Sequence, residues 1–298
     1  MEKRITIIST SYRSGEHLNR LFNNLVDKAQ NKDSLQFLVI DNTNGEDKGL
    51  NGLFPKDINL EIIENDGRNL QRSISHSSAL DIGLKESDTE FTLIIDPDVH
   101  IFKDGWDRMC LDLCENEEKL VVGAPYPDWK LGKVHDYPSV VFFFFHTRQI
   151  RDLNRSFYPF PSLMMKLKNS FFRKITRLGI LASKNRLDNS FLLRKITNFL
   201  ERIFGITSPD TGKGIIEAIR EQSFKPVNFK AYYGNDLETP ISSSFQFEMA
   251  KEFELYFYNK DPFMTHMYGS GVFHWKTAKG SDIQYWQGLI ENIEREIR

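Results

Sequence analysis

The chain has 298 residues, 40% hydrophobic and 13% aromatic, which is enough apolar material for one large α/β domain or two small ones and excludes a disordered polypeptide. Its formal net charge of −2 exerts no global pull toward nucleic acid, because counterion-release binding needs a concentrated basic surface.

The charged start, Met1-Glu2-Lys3-Arg4, runs into Ile5 to Ile8, an apolar run too short for a signal sequence, so it is read as a first strand. From residue 4 to about 123, short apolar runs alternate with helical patterns, the signature of βαβ units and a mainly parallel sheet. The predicted strands are 4–9, 35–40, 59–63, 91–95 and 120–122. Helices are predicted over 15–28, 70–85 and 105–115, where apolar residues recur at spacings of three and four, as in Leu18, Leu21 and Leu25. Cys110 and Cys114 fall one turn apart on the third helix. With no other cysteine in the chain they exclude a disulfide framework and read as half-buried thiols of a reducing compartment.

Farther on, Val140 to Phe145 is a buried strand by composition. A basic insertion over 163–205 follows, with ten Lys or Arg against two acids, Asp188 and Glu201. Met164, Leu167, Phe171, Ile175 and Leu178 form one helical stripe, and Leu192, Ile196, Phe199 and Ile203 form another. Two readings stay open: a helical hairpin whose stripes pack on the domain while its lysines face water, or a surface that adsorbs to an anionic membrane. After the insertion the pattern predicts a helix over 213–222, a strand over 225–231 and an amphipathic helix over 281–298. Trp286, Leu289, Ile290, Ile293 and Ile297 make up the apolar side of that last helix. No stretch approaches ~20 uncharged apolar residues, so no single helix is expected to span a bilayer.

Ligands of open α/β sheets bind outside the carboxyl ends of the strands. Those positions are polar here: Thr10, Ser11 and Tyr12; Asp41 to Asn44; Asn65-Asp66; and Asp96-Pro97-Asp98. The last is the most telling, since two bare carboxylates at the end of a buried strand would cost several kcal/mol. A hard divalent cation bridging to a diphosphate relieves that cost. An Asx-type turn is the plain alternative.

In order along the chain, Ile7 to Tyr12, Phe37 to Asn42, the 75–83 helix leading to Asp96-Pro97-Asp98, and Asp210 before a short helix and strand resemble the inverting GT-A glycosyltransferases. Those similar to glycosyltransferase family 2 are the nearest in pattern. The resemblance covers residues 4–123 and, more loosely, 210–231. It implies a GT-A fold, α/β and Rossmann-like, with a mainly parallel twisted sheet flanked by helices and the basic helical insertion added. Residues 1–138 would bind the nucleotide-sugar, 139–280 the acceptor, and 281–298 would be a terminal helix.

The resemblance also implies roles. Thr10, Tyr12 and Asp41 would cradle the nucleobase, with Arg72 and His76 near the base or diphosphate. Asp96 would lie at ribose and metal, and Asp98 would ligate Mn²⁺ or Mg²⁺. His266 would be the third ligand, with His274 as the alternative. Asp210 would be the general base, with a helix N-cap as its structural rival and Asp236 and Glu238 as substitutes. Partners would be a nucleotide-diphosphosugar and a glycan or lipid-linked acceptor in cell-surface polysaccharide or glycolipid synthesis. The expected location is cytoplasmic, with attachment at the inner membrane face the corollary of the membrane reading. Two rivals remain: a sugar-1-phosphate nucleotidyltransferase, against which the single Gly15 in the 9–15 loop argues, and a non-catalytic binding protein of the same fold.

Overall fold

The structure, a computed structural model, describes residues 3–50, 54, 58–159, 163–179, 181–236, 238–267, 276–277, 280–281 and 283–297. In chain order the elements are β1 (Ile5–Ser11), α1 (Gly15–Lys28), β2 (Leu35–Asp41), β3 (Leu60–Glu64), α2 (Arg72–Glu86), β4 (Phe91–Ile95), β5 (Val99–Ile101), α3 (Trp106–Cys114), β6 (Leu120–Gly123), β7 (Phe142–His146) and α4 (Thr147–Arg151). Then come α5 (Leu163–Thr176), α6 (Lys184–Asn189), α7 (Phe191–Phe204), α8 (Lys213–Glu221), β8 (Lys225–Asn228), β9 (Lys230–Ala231), α9 (Ser244–Glu252), β10 (Glu254–Tyr258), β11 (Asp261–His266), β12 (Lys276–Thr277), β13 (Gly280–Ser281) and α10 (Ile283–Ile297).

Seven strands form the main sheet in the order β3-β2-β1-β4-β7-β6-β8. All its neighbours run parallel except β7, which is antiparallel to β4 and to β6. Because successive side chains leave opposite faces, each strand feeds two cores. Ile7, Val39, Leu93 and Phe144 meet Leu18, Phe22 and Trp106 from α1 and α3. On the other face Ile8, Leu38, Ile94 and Phe143 meet Leu80 of α2 and Ile219 of α8. Burial on both sides is why these strands read as unbroken apolar runs. At Gly83 a β carbon would lie 2.6 Å from Ile8 Cγ2, so only glycine lets α2 rest this closely on β1.

A second sheet, wholly antiparallel, has the order β5-β11-β10-β9. Helices α9 and α10 cover it through Met249, Trp286, Leu289, Ile290 and Ile293, together with Phe253 just past the end of α9. Four of the five apolar positions expected on the last helix are thus buried, whereas Ile297, in its final turn, is exposed. The strand expected over 225–231 divides. β8, which carries Pro226 and takes the edge of the main sheet, ends at Asn228, and β9 joins the second sheet after the fully buried Phe229. Cys110 and Cys114 are buried, unpaired thiols whose pKa values burial pushes up.

The basic insertion is helical, as expected, but apart from Ile175 and Leu178, which are half-buried, its apolar stripes are not packed on the domain. Met164, Leu167, Phe171, Leu192, Ile196, Phe199 and Ile203 are exposed. The inward positions are others: Phe172 stacks on Phe204 with ring centroids 4.8 Å apart, and Thr176 and Thr197 are fully buried.

Candidate metal and catalytic centre

The chain leaves the main sheet at Ile95 and enters the second at Val99, so Asp96-Pro97-Asp98 is the hinge between the two sheets. Four hydrogen bonds to its backbone hold it. The Asp96 amide donates to Val141 O at 3.2 Å, and the Met267 amide donates to Asp98 O at 3.0 Å. Arg20 of α1, whose guanidinium lies 4.3 Å from the Trp286 ring, donates from Nη2 to Pro97 O and Val99 O at 3.3 and 2.9 Å.

Strand register delivers the third group. His266 pairs with Val99 across the β11–β5 ladder and with Glu254 across β11–β10. Donor atoms of Asp96, Asp98 and His266 consequently lie within 4.8 Å of one another. His266 Nε2 is 3.3 Å from Asp98 Oδ1 and 3.8 Å from Asp96 Oδ2, while Nδ1 is 2.9 Å from Glu254 Oε2.

Burial dominates the electrostatics here. It raises the Asp96 pKa against the pull of His76 and His266. It would raise Asp98 as well, but the charge and hydrogen bond of His266 outweigh it and the pKa falls. For His266 burial works downward and is overcome by Asp98 and Glu254, which lift it to about 10. Two carboxylates and an imidazole nitrogen converging where Asp98 and His266 are buried and Asp96 is half-buried fit a divalent cation that accepts mixed oxygen and nitrogen donors.

Behind the imidazole, Glu254 is 1% exposed and pairs with the nearly buried Lys130 at 2.7 Å, and it accepts a hydrogen bond from Tyr256 Oη at 3.1 Å. Burial opposes ionisation of Glu254, but Lys130 and His266 bring its pKa down to about 2. A carboxylate on Nδ1 aims Nε2 at the ligand position, and such supporting groups are worth about 10–100-fold in metal affinity. Glu254→Gln is therefore expected to weaken Mn²⁺ binding by about that factor in calorimetric titration. Glu254→Ala, which removes one partner of the buried Lys130–Glu254 ion pair, is expected to cost about 3–5 kcal/mol of stability in denaturant unfolding.

The first turns of α2 link this cluster to the far half of the chain. Arg72 and His76 lie one turn apart on the same helix face, and His76 Nε2 is 3.6 Å from Asp96 Oδ1. Ser73 Oγ donates to Asp210 Oδ1 at 3.1 Å. Asp210 also pairs with Lys133 and accepts from the Thr211 amide at 2.9 Å. Burial pushes the Asp210 pKa up, but Lys133, Thr211 and Ser73 together bring it below the usual carboxylate value. Tyr126 lies between the two halves, with Lys130 Nζ 5.2 Å and Lys133 Nζ 4.9 Å from its ring centroid, and burial and the Asp210 and Asp96 carboxylates drive its phenol pKa far up. Asp210 is not the N-cap of α8. That position is Gly212, left-handed at φ +92°, where a side chain would be strained and crowded by Val140.

The other expected residues are placed as follows. Thr10 is the penultimate residue of β1, and Tyr12, the first residue past it, is exposed. Asp41 closes the turn after β2, accepting from the Thr43 amide and hydroxyl at 2.9 and 2.7 Å and from the Gly45 amide at 3.1 Å. Asp236 is engaged by Arg194 at 2.6 Å and by the Tyr233 amide at 3.1 Å, and Glu238 is exposed. His274 lies outside the described residues.

No family model matches the chain, and no curated protein matches it. Solved structures do. Residues 1–349 of S. aureus TarS are 14% identical with a TM-score of 0.42, over 67% of this chain and 70% of that one. The same protein in complex with UDP-GlcNAc is matched at 13% identity and a TM-score of 0.38, over 52% and 48%. The mannosyltransferase PcManGT from Pyrobaculum calidifontis, in complex with GDP-Man and Mn²⁺, is 11% identical with a TM-score of 0.43, over 75% and 76%. In another TarS structure the match spans only 30% of that chain. Likenesses this distant assign neither activity nor ligand.

Sequence reasoning missed Glu254, Lys130, Tyr126 and Lys133. A signal existed for two of them: Glu254 precedes the apolar run Leu255-Tyr256-Phe257, and Lys130 stands alone between Trp129 and Leu131. A charge beside such apolar residues is tolerated only when paired.

Proposed function

We propose that the chain is a metal-dependent, inverting glycosyltransferase of the GT-A type, moving a sugar from a nucleotide-diphosphosugar to an acceptor hydroxyl. The observation that carries this reading is the convergence of Asp96, Asp98 and His266 at the carboxyl end of β4, with Asp210 linked to them through His76 and Ser73 of α2. Crevices at that end of a strand, beside the point where the strand order reverses, are where open α/β sheets take their ligands.

Residues 1–138 would hold the donor, with Thr10, Tyr12 and Asp41 at the nucleobase and Arg72, His76 and Asp96 nearer the ribose and diphosphate. Mn²⁺ or Mg²⁺ held by Asp96, Asp98 and His266 would offset charge on the departing nucleoside diphosphate. Asp210 would take the proton of the acceptor hydroxyl as it attacks the anomeric carbon from the opposite face, which inverts that centre. The acceptor is a glycan or lipid-linked sugar used in cell-surface polysaccharide or glycolipid synthesis, met on the cytoplasmic side of the membrane. Among the described residues no helix is long and apolar enough to cross a membrane.

The test is a panel of nucleotide-sugars incubated with and without Mn²⁺ or Mg²⁺, read as release of nucleoside diphosphate, with NMR of the product anomer. Cation-dependent release from one donor, with inverted product, is expected. Pyrophosphate release from a nucleoside triphosphate and a sugar-1-phosphate would instead identify a nucleotidyltransferase, and no turnover with any donor would leave a binding protein.

A further inference from the structure

We infer that the outer face of the α5–α7 hairpin is a docking surface for an anionic bilayer. This deepens the acceptor reading above, on which its purpose rests, although adsorption itself needs no catalysis.

Six side chains carry the apolar part: Met164, Leu167 and Phe171 on α5, and Leu192, Phe199 and Ile203 on α7. They are between 57% and 81% exposed. At spacings of three and four residues each set lies on one side of its helix. These are not the positions that build the hairpin, since Phe172, Phe204, Thr176 and Thr197 turn inward. Single exposed leucines are ordinary on a protein surface; two exposed stripes on adjoining helices are not.

Charge selects the occupant. Lys168 and Lys174 flank the α5 stripe, Lys195 and Arg202 flank that of α7, and all four are exposed. Long basic side chains beside an apolar face can lay their stems on the acyl boundary and reach lipid phosphates with their heads. A second copy of the chain would set one basic face against another, and the like charges would repel. The insertion holds ten Lys or Arg against only Asp188 and Glu201; Lys184 and Arg194 turn inward, to the Ala250 carbonyl and to Asp236, but the four flanking cations stay outside, so anionic headgroups complement this face. Even those acids look inward: Glu201 accepts from the Gly132 amide and pairs with His135 at 3.2 Å, and Asp188 accepts from the Gly234 amide at 3.0 Å.

That inward side of α7 holds the chain near the site. Residues 130–135 include Lys130, paired with Glu254, and Lys133, paired with Asp210. A bilayer on the outer face would therefore lie one loop removed from the proposed base, where a lipid-linked acceptor would arrive.

The experiment is co-sedimentation of the full chain with phosphatidylcholine vesicles, with and without phosphatidylglycerol, at low and high salt, in the absence of donor and cation. Binding to the anionic vesicles is expected to exceed that to neutral ones by about tenfold or more and to weaken with salt. Phe171→Asp combined with Phe199→Asp, and separately Lys195→Gln combined with Arg202→Gln, should each lower it by about tenfold with unchanged melting temperature, because all four side chains are exposed. Equal partition onto both vesicle types, or wild-type binding by the aspartate variant, would overturn the inference. So would sedimentation velocity showing that the aspartates abolish self-association while vesicle binding persists. Failure here leaves donor turnover intact, and failure of turnover leaves vesicle binding intact, so the two readings fall separately.

Discussion

Asp98→Asn is expected to remove most of the thermal stabilisation that Mn²⁺ with a nucleoside diphosphate confers on the wild type, about 5 °C near one hundred times the dissociation constant. It is also expected to lower cation-dependent turnover by about a thousandfold. The Asp98 side chain is nearly buried and its Oδ1 lies 3.3 Å from His266 Nε2, so an amide in its place presents a donor where an anionic ligand is required. The substitution keeps the hinge intact, because Met267 is bonded to the Asp98 carbonyl rather than to its side chain. Asp104→Asn, at a side chain 86% exposed, serves as the control and should leave the shift unchanged. Equal cation-induced shifts in the Asp98 variant and the wild type would mean that this carboxylate holds no metal. Reading melting curves with and without Mn²⁺ separates the loss of binding from any change in basal stability.

Asp96 and Asp98 were legible because the apolar run 93–95 ends abruptly in two acids, and a buried strand has few uses for such an ending. His266 was found only through the family resemblance. What puts it at the site is the β5–β11–β10 ladder, whose turn hides its own signal. Asn259 and Lys260 both adopt positive φ, 48° and 74°, which ordinarily asks for Asn-Gly, and lysine in the second place disguises the hairpin. Without that hairpin Glu254 could not be paired with His266 in advance. The direction of β7 was equally hidden, since Phe142 to Phe145 fill both cores whichever way the strand runs. In the insertion, periodicity picked out the stripes but could not tell an inward face from an outward one. Phe172 and Phe204 closed the hairpin, and that left the more regular stripes to solvent.

Asp210→Asn should lower kcat by about a hundredfold to ten-thousandfold while leaving the Mn²⁺–nucleotide melting shift in place, because a base that acts on the acceptor contributes little to holding the donor. Its pairing with Lys133 makes a second, sharper expectation. A carboxylate whose folded pKa is depressed stays ionised at every pH above that value, so the acid limb of kcat/KM in the wild type lies below the usual carboxylate range. Lys133→Met removes the largest influence opposing burial, so the Asp210 carboxyl pKa rises and the limb moves upward with it. The stability supplied by the ion pair follows the same sign: it is present above the carboxylate's unfolded pKa and is lost as pH falls through the folded one. A limb that stays put in Lys133→Met, or near-normal kcat in Asp210→Asn, would show that the proton goes elsewhere. Asp236 is a poor successor, since Arg194 and the Tyr233 amide already engage it. The pH profile thus distinguishes a working base from a carboxylate whose only task is to fix Lys133 and the turn before α8.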